Sequence, residues 1–179
     1  QFRTKAIEYL KDIFLKNREN IGSQPFIRGF ELKTEFSSEW YKFFHPSQAG
    51  DEQILTFRLT KERLPYLARN REIEIIQIDF IARCTNASSY DLHLGYEKSD
   101  NSKVDASGTL LMSPNNKYGN LQKGTIDSSN SLGVTLSEID IDRNISLKLR
   151  QVGNSSFTEL ATNPEEIENL YMVIHFKHK

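Results

Sequence analysis

Arg71-Glu-Ile-Glu-Ile-Ile-Gln-Ile-Asp-Phe-Ile-Ala-Arg-Cys84 is the longest run in the chain with alternating apolar residues. Ile73 and Ile75 alternate with Glu72 and Glu74, the period of a half-buried strand. At Ile76 the alternation slips, and Ile76, Ile78, Phe80, Ala82 and Cys84 continue it in the opposite phase. A one-residue slip turns every side chain to the other face, so the sequence predicts a β-bulge or a sheet-switching bend at Ile75–Ile76. A strand of this length that bends halfway can serve two packed sheets.

Working outward, segments with strand periodicity recur. Phe30–Phe36 and Ile54–Leu59 precede the long strand. Tyr90–Tyr96 follows it, with Tyr90, Leu92, Leu94 and Tyr96 facing inward. Thr109–Met112, Val134–Leu136, Ile139–Ile141 and Ile145–Val152 read as further short strands. Leu170–Lys177 is apolar on both faces, which predicts a central strand. Helical signals are brief. Ser37 or Ser38 is placed to cap a helix over Glu39–Phe44 that Pro46 ends, Thr60 precedes a turn over Lys61–Leu64, and Asn163-Pro-Glu-Glu166 reads as a helical turn. Ser113–Ser131, rich in Asn, Ser, Gly and Lys, reads as a long loop with an edge strand near Tyr118–Leu121. The expectation is an all-β fold with short helices, an antiparallel two-sheet β-sandwich over residues 26–179. Residues 1–25 read as an N-terminal helix or linker, with Phe2, Ala6, Leu10 and Ile13 on one face.

The 179 residues fit one domain able to bury a core without disulfide or metal. With 23 basic and 24 acidic residues, the chain lacks the basic surface that nucleic acid or anionic lipid requires. No apolar run is long enough to span a membrane. The chain opens on Gln1 without the order of segments of a signal peptide, so it reads as a piece of a longer polypeptide.

Residue chemistry gives no catalytic, cofactor or metal site. His45, His93, His175 and His178 share no ligand spacing. Cys84 reads as a small core residue rather than a nucleophile. Asp127–Glu138 imitates a calcium loop, but Leu132 stands where glycine is needed. Asp140 and Asp142 fall on one face of a predicted strand with nothing to separate an acid from a base. Asn86, Asn144 and Asn154 are spelled as glycosylation acceptors. Candidate binding residues are the aromatics Trp40 and Tyr41, the loop arginines Arg63 and Arg69, and Tyr118 in the long loop. Trp40 and Tyr41 could stack on carbohydrate or plug one end of the core.

The order of segments resembles the carboxy-terminal domain of the A subunits of bacterial insecticidal (Tc) toxin complexes. Five segments carry the resemblance: Lys33-Thr-Glu-Phe-Ser37; Phe57-Arg-Leu59 with Pro65 following; Arg71–Cys84; Asp140–Asp142 before Ser146-Leu147; and the terminal Asn169-Leu-Tyr-Met-Val-Ile-His-Phe176. Two regions depart from the family. Thr85-Asn-Ala-Ser88 replaces a Gly/Pro-rich turn, and Lys98–Ser131 has no counterpart. The resemblance implies a β-sandwich without catalytic activity or cofactor. It would dock a β-propeller-bearing B subunit, at the end of a large secreted or surface-exported protein that assembles as a pentamer. The loops at 37–50, 60–71 and 113–131 are then the contact candidates. The alternative expectation is a receptor- or glycan-binding sandwich, which exposure of Trp40 and Tyr41 would support and burial of both would weaken.

Overall fold

The computed structural model describes residues 25–119 and 121–179, without the side chains of Tyr118, Ala161 and Thr162. The helix expected over residues 2–20 lies outside the described residues. The fold is mainly β, an antiparallel sheet curled into a half-barrel with few helices.

Among the described residues, nine strands build it: β1 Phe26–Glu31, β2 Leu55–Arg58, β3 Ile73–Cys84, β4 Tyr90–Glu97, β5 Lys103–Asp105, β6 Leu110–Asn115, β7 Leu121–Ile126, β8 Asn144–Gln151 and β9 Ile167–His178. Their order across the sheet is β1-β9-β3-β7-β6-β4-β8-β2, with β5 on the side of β4. The bulge lies where the phase slip predicts it. Ile75 pairs with Phe176 and Gln77 with His175, so Ile76 is the extra residue. The sheet switch does not lie there, because β3 stays against β9 on both sides of the bulge.

The strand that changes partners is β6. Its Leu110 and Met112 face Leu92 and Tyr90 of β4, and its Ser113 and Asn115 face Lys123 and Leu121 of β7. Pro114 sits in the second half, where a missing N–H is tolerated on an open strand side. Close passage at this bend needs Gly124 of β7. A Cβ there would lie 2.8 Å from Leu110 Cδ2 and 2.9 Å from the Leu111 carbonyl oxygen.

The inner face of the curl is the core. Ile78, Phe80 and Ala82 of β3 and Leu170, Met172, Ile174 and Phe176 of β9 are buried there. So are Tyr90, Leu92, Leu94 and Tyr96 of β4, the set that alternation assigned inward. β9 lies between β1 and β3, as its two apolar faces predict.

Several segments differ from expectation. The strand drawn over Phe30–Phe36 ends at Glu31 and turns into helix α1, Leu32–Glu35, and then α2, Ser37–Phe44. Leu32, Phe36, Trp40 and Phe44 are all buried, a four-residue spacing that makes one helical face. Ser37 is already helical, and Phe36 stands at the cap position without a side-chain bond, so neither serine caps α2. The long loop drawn over Ser113–Ser131 contains β7, an interior strand rather than an edge. Ile139 and Ile141 are buried but lie outside any strand, flanking a 3₁₀ turn at Leu136–Glu138 and the turn that follows. Val134 is likewise buried outside the sheet. Asn163–Glu166 is a single turn closed by Glu166 N–H donating to the Asn163 carbonyl at 3.0 Å.

Candidate interaction surface

The two ends of the half-barrel are built differently. At the end where β3 finishes and β9 begins, which we call the Cys84 end, side chains tie the connecting segments together. The Tyr90 hydroxyl donates to the Glu166 carboxylate and to Asn86 Oδ1. The Asn86 amide donates to the same carboxylate at 3.1 Å. Gln122, fully buried on the inner face of β7, donates to the Asn86 and Ser88 carbonyls at 3.0 and 3.2 Å. Burial, together with donation to Glu166, pushes the Tyr90 hydroxyl well above the usual tyrosine range. Burial pushes the neighbouring Cys84 thiol up to about 12, which makes it a poor nucleophile at neutral pH.

At the opposite end, where β3 begins, residues 60–71 form the loop between β2 and β3. It carries a 3₁₀ turn, Lys61–Arg63, and a short helix α3, Tyr66–Arg69. Leu64 and Ala68 are buried and anchor it. The backbone between them is fixed from several sides. Arg69 Nε donates to the Leu64 carbonyl at 3.0 Å, and Ala68 N–H donates to the Pro65 carbonyl at 2.8 Å. The Arg63 carbonyl accepts from Arg28 Nε at 3.0 Å. The Glu35 carboxylate is shared by Arg28 at 3.0 Å and Arg63 at 3.4 Å. Each guanidinium also lies over a ring, Arg28 4.5 Å from the centroid of Phe30 and Arg63 4.4 Å from that of Phe36. Tyr66 and Leu67, held up by this scaffold, are 76% and 68% exposed. An adjacent pair of large apolar side chains so far into solvent, on a loop this firmly anchored, is the clearest candidate contact surface among the described residues.

The residues singled out from the sequence separate. Arg63 and Arg69 meet in this loop, but their guanidiniums hold its shape. Trp40 is only 8% exposed and packs on Phe43 and Phe44 at 6.2 and 5.3 Å between centroids. Its neighbour Tyr41 is 62% exposed and stacks on His45 at 4.0 Å. Of the pair only Tyr41 is exposed, because consecutive helical residues point apart and Trp40 takes the core side. The Tyr118 side chain lies outside the described residues. Tyr66 and Leu67 were missed by sequence reading, since an exposed and a buried Tyr-Leu pair are spelled alike.

Other polar groups are engaged locally. Asp127 closes its own turn by accepting from the Ser129 backbone and hydroxyl, which hold its carboxyl below the usual range. Glu138 pairs with Lys98 at 2.6 Å. Asp140 and Asp142 lie in a turn, not on a strand face. Asp142 accepts from the Lys61 backbone N–H at 3.2 Å, and Asp140 from that of Asp142 at 3.0 Å. A surface cleft of about 640 Å³ lies beside them, lined by Lys61, Glu72, Lys98, Glu138 and Lys179 among others. A second, of about 580 Å³, lies among Lys33, Arg83, Glu165, Glu168 and Tyr171, with the edge of Trp40 at its wall.

On the outer face of the sheet, Asp79 of β3 is 7% exposed. It accepts from Thr125 of β7 and Gln77, meets His175 Nε2 of β9 at 2.8 Å, and lies 3.9 Å from Lys123 Nζ. Burial opposes its charge, but the bonds from Thr125 and His175 with the Lys123 charge outweigh burial and hold its carboxyl below the usual range.

No family model and no curated protein sequence matches the chain. Among the described residues, no helix is long and apolar enough to cross a membrane.

Proposed function

We propose that the chain is a non-catalytic docking module, the carboxy-terminal domain of a large bacterial toxin-complex-like protein that receives a β-propeller-bearing B-type subunit. The single observation that carries this reading is the anchored 60–71 loop, which holds Tyr66 and Leu67 out in solvent. The family resemblance of the sequence supports it independently. In this reading the two halves of the curled sheet serve as the layers of a sandwich, and loops at one end meet the partner. The parent protein is exported from the bacterium and assembles as a homopentamer through other regions. The interface buries about 1,200–2,000 Å², with most of the energy in a few aromatic and arginine anchors.

The test is co-elution of the purified chain with the B-type toxin subunit encoded by the same bacterium. A stable one-to-one complex is the expected result. Separate elution at micromolar concentrations, with both proteins folded, overturns the proposal.

A further inference from the structure

Resting on the docking reading, we infer that the 60–71 surface fits an apolar pocket with an acidic rim on a protein partner, Tyr66 and Leu67 entering the pocket. The loop and its supports carry a net positive charge in a chain whose net charge is −1. Arg28, Arg58, Arg63, Arg69 and Arg71 lie on the loop or its supports, against the carboxylates of Glu35 and Glu62. Arg58, Arg69 and Arg71 are exposed. Glu35 is divided between two guanidiniums, so it neutralises only one of them. The Glu62 carboxylate, held below its usual range by a backbone N–H and the Thr60 hydroxyl, lies within electrostatic reach of Arg69 and Arg58. The remaining nearby charges are used elsewhere. Lys61 faces Asp142 at 3.9 Å, and Glu72 faces the cleft that Lys179 also lines.

An apolar centre inside a cationic margin is complementary to an apolar pocket inside carboxylates. The geometry favours a protein over an anionic lipid surface. Two of the five guanidiniums lie over the Phe30 and Phe36 rings, and the loop backbone is held by the Arg28 and Arg69 side chains and by its own turn hydrogen bonds. A rigid loop that presents two apolar side chains suits a formed pocket on a protein, whereas a fluid surface rewards flexible cations and a larger apolar face.

A random dodecapeptide display library panned against the whole chain supplies the probe. Enriched peptides are expected to carry a large apolar residue flanked by Asp or Glu. Tyr66→Ala/Leu67→Ala should weaken them by about 10-fold or more. Arg58→Glu/Arg71→Glu should weaken them less, and the wild-type affinity should fall with added salt. Equal melting temperatures of the variants, expected from the exposure of these side chains, separate lost contact from lost fold. Three results overturn the inference: no enriched peptide, peptides indifferent to the double alanine variant, or binding to phosphatidylserine vesicles with the same residue dependence. If the B-type subunit still binds the double alanine variant, this inference fails while the docking reading stands.

Discussion

The Cys84 end and the opposite end of the half-barrel use polar side chains to different purposes. At the Cys84 end, Tyr90, Asn86, Gln122 and Glu166 spend their hydrogen bonds on one another and on the connecting backbone. A buried hydroxyl or amide left without a partner costs about 1–3 kcal/mol, so this end is held closed by the need to satisfy its own groups. At the other end, Arg28, Arg63 and Arg69 fix a loop from beneath and leave Tyr66 and Leu67 uncovered. The same kind of bond stabilises a lid in one place and builds a platform in the other. Rigidity alone does not mark a functional surface; rigidity together with exposed apolar side chains does.

The comparison breaks most visibly at Tyr90. Tyr90→Ala should cost about 3–5 kcal/mol through the cavity it opens, while Tyr90→Phe should cost about 1–2 kcal/mol because the hydroxyl's bonds to Glu166 and Asn86 are lost. Denaturant unfolding measures both, and a phenylalanine variant as stable as the parent would show that the Cys84 end is not closed by these bonds. The junction between the two halves of the sheet comes next. Gly124→Ala should destabilise by about 1–3 kcal/mol, since its Cβ meets Leu110 and the Leu111 carbonyl where the strands pass closest; thermal unfolding of this variant reports whether the bend at β6 is as tight as described.

A smaller effect sharpens the contrast between both ends and the sheet centre. The folded carboxyl of Asp79 is held below its unfolded value of about 4. Its contribution to stability is therefore complete above that value and is lost as pH falls through the lower folded value. Asp79→Asn should be less stable than the parent at neutral pH and should flatten the decline of stability below about pH 4. Parallel acid-unfolding slopes for the two proteins would remove Asp79 from the account. The smallest effect belongs to the platform: Tyr66→Ala/Leu67→Ala should leave unfolding free energy within about 0.5 kcal/mol per site, because exposed side chains contribute little to folding.

How much of this was legible in the sequence depends on how each residue is buried. The phase change at Ile75–Ile76 was legible as either a bulge or a sheet switch, and the pairing of β3 with β9 on both sides of Ile76 decides for the bulge. Tyr90–Tyr96 and Leu170–Phe176 were legible because their inward residues are large and apolar. β7 was not. Its inward positions are Gln122, Gly124 and Ile126, an amide satisfied by distant carbonyls and a glycine demanded by a close strand crossing. Neither requirement shows in a local pattern. Phe30, Leu32, Thr34 and Phe36 fit a strand period and, in part, a helical one; burial of Leu32 and Phe36 with Trp40 and Phe44 decides for the helix. At the candidate surface, the arginines of the 60–71 loop drew attention by charge. Which side chains they support and which they leave exposed is a property of the anchored loop, through Leu64, Ala68 and Glu35 thirty residues away.

Amide hydrogen exchange of the chain with and without the B-type subunit tests the central claim most directly. The account predicts slowed exchange across residues 60–71 on complex formation, and unchanged exchange across 85–90 and 163–167 at the Cys84 end. Protection at the Cys84 end with none in the 60–71 loop would contradict it.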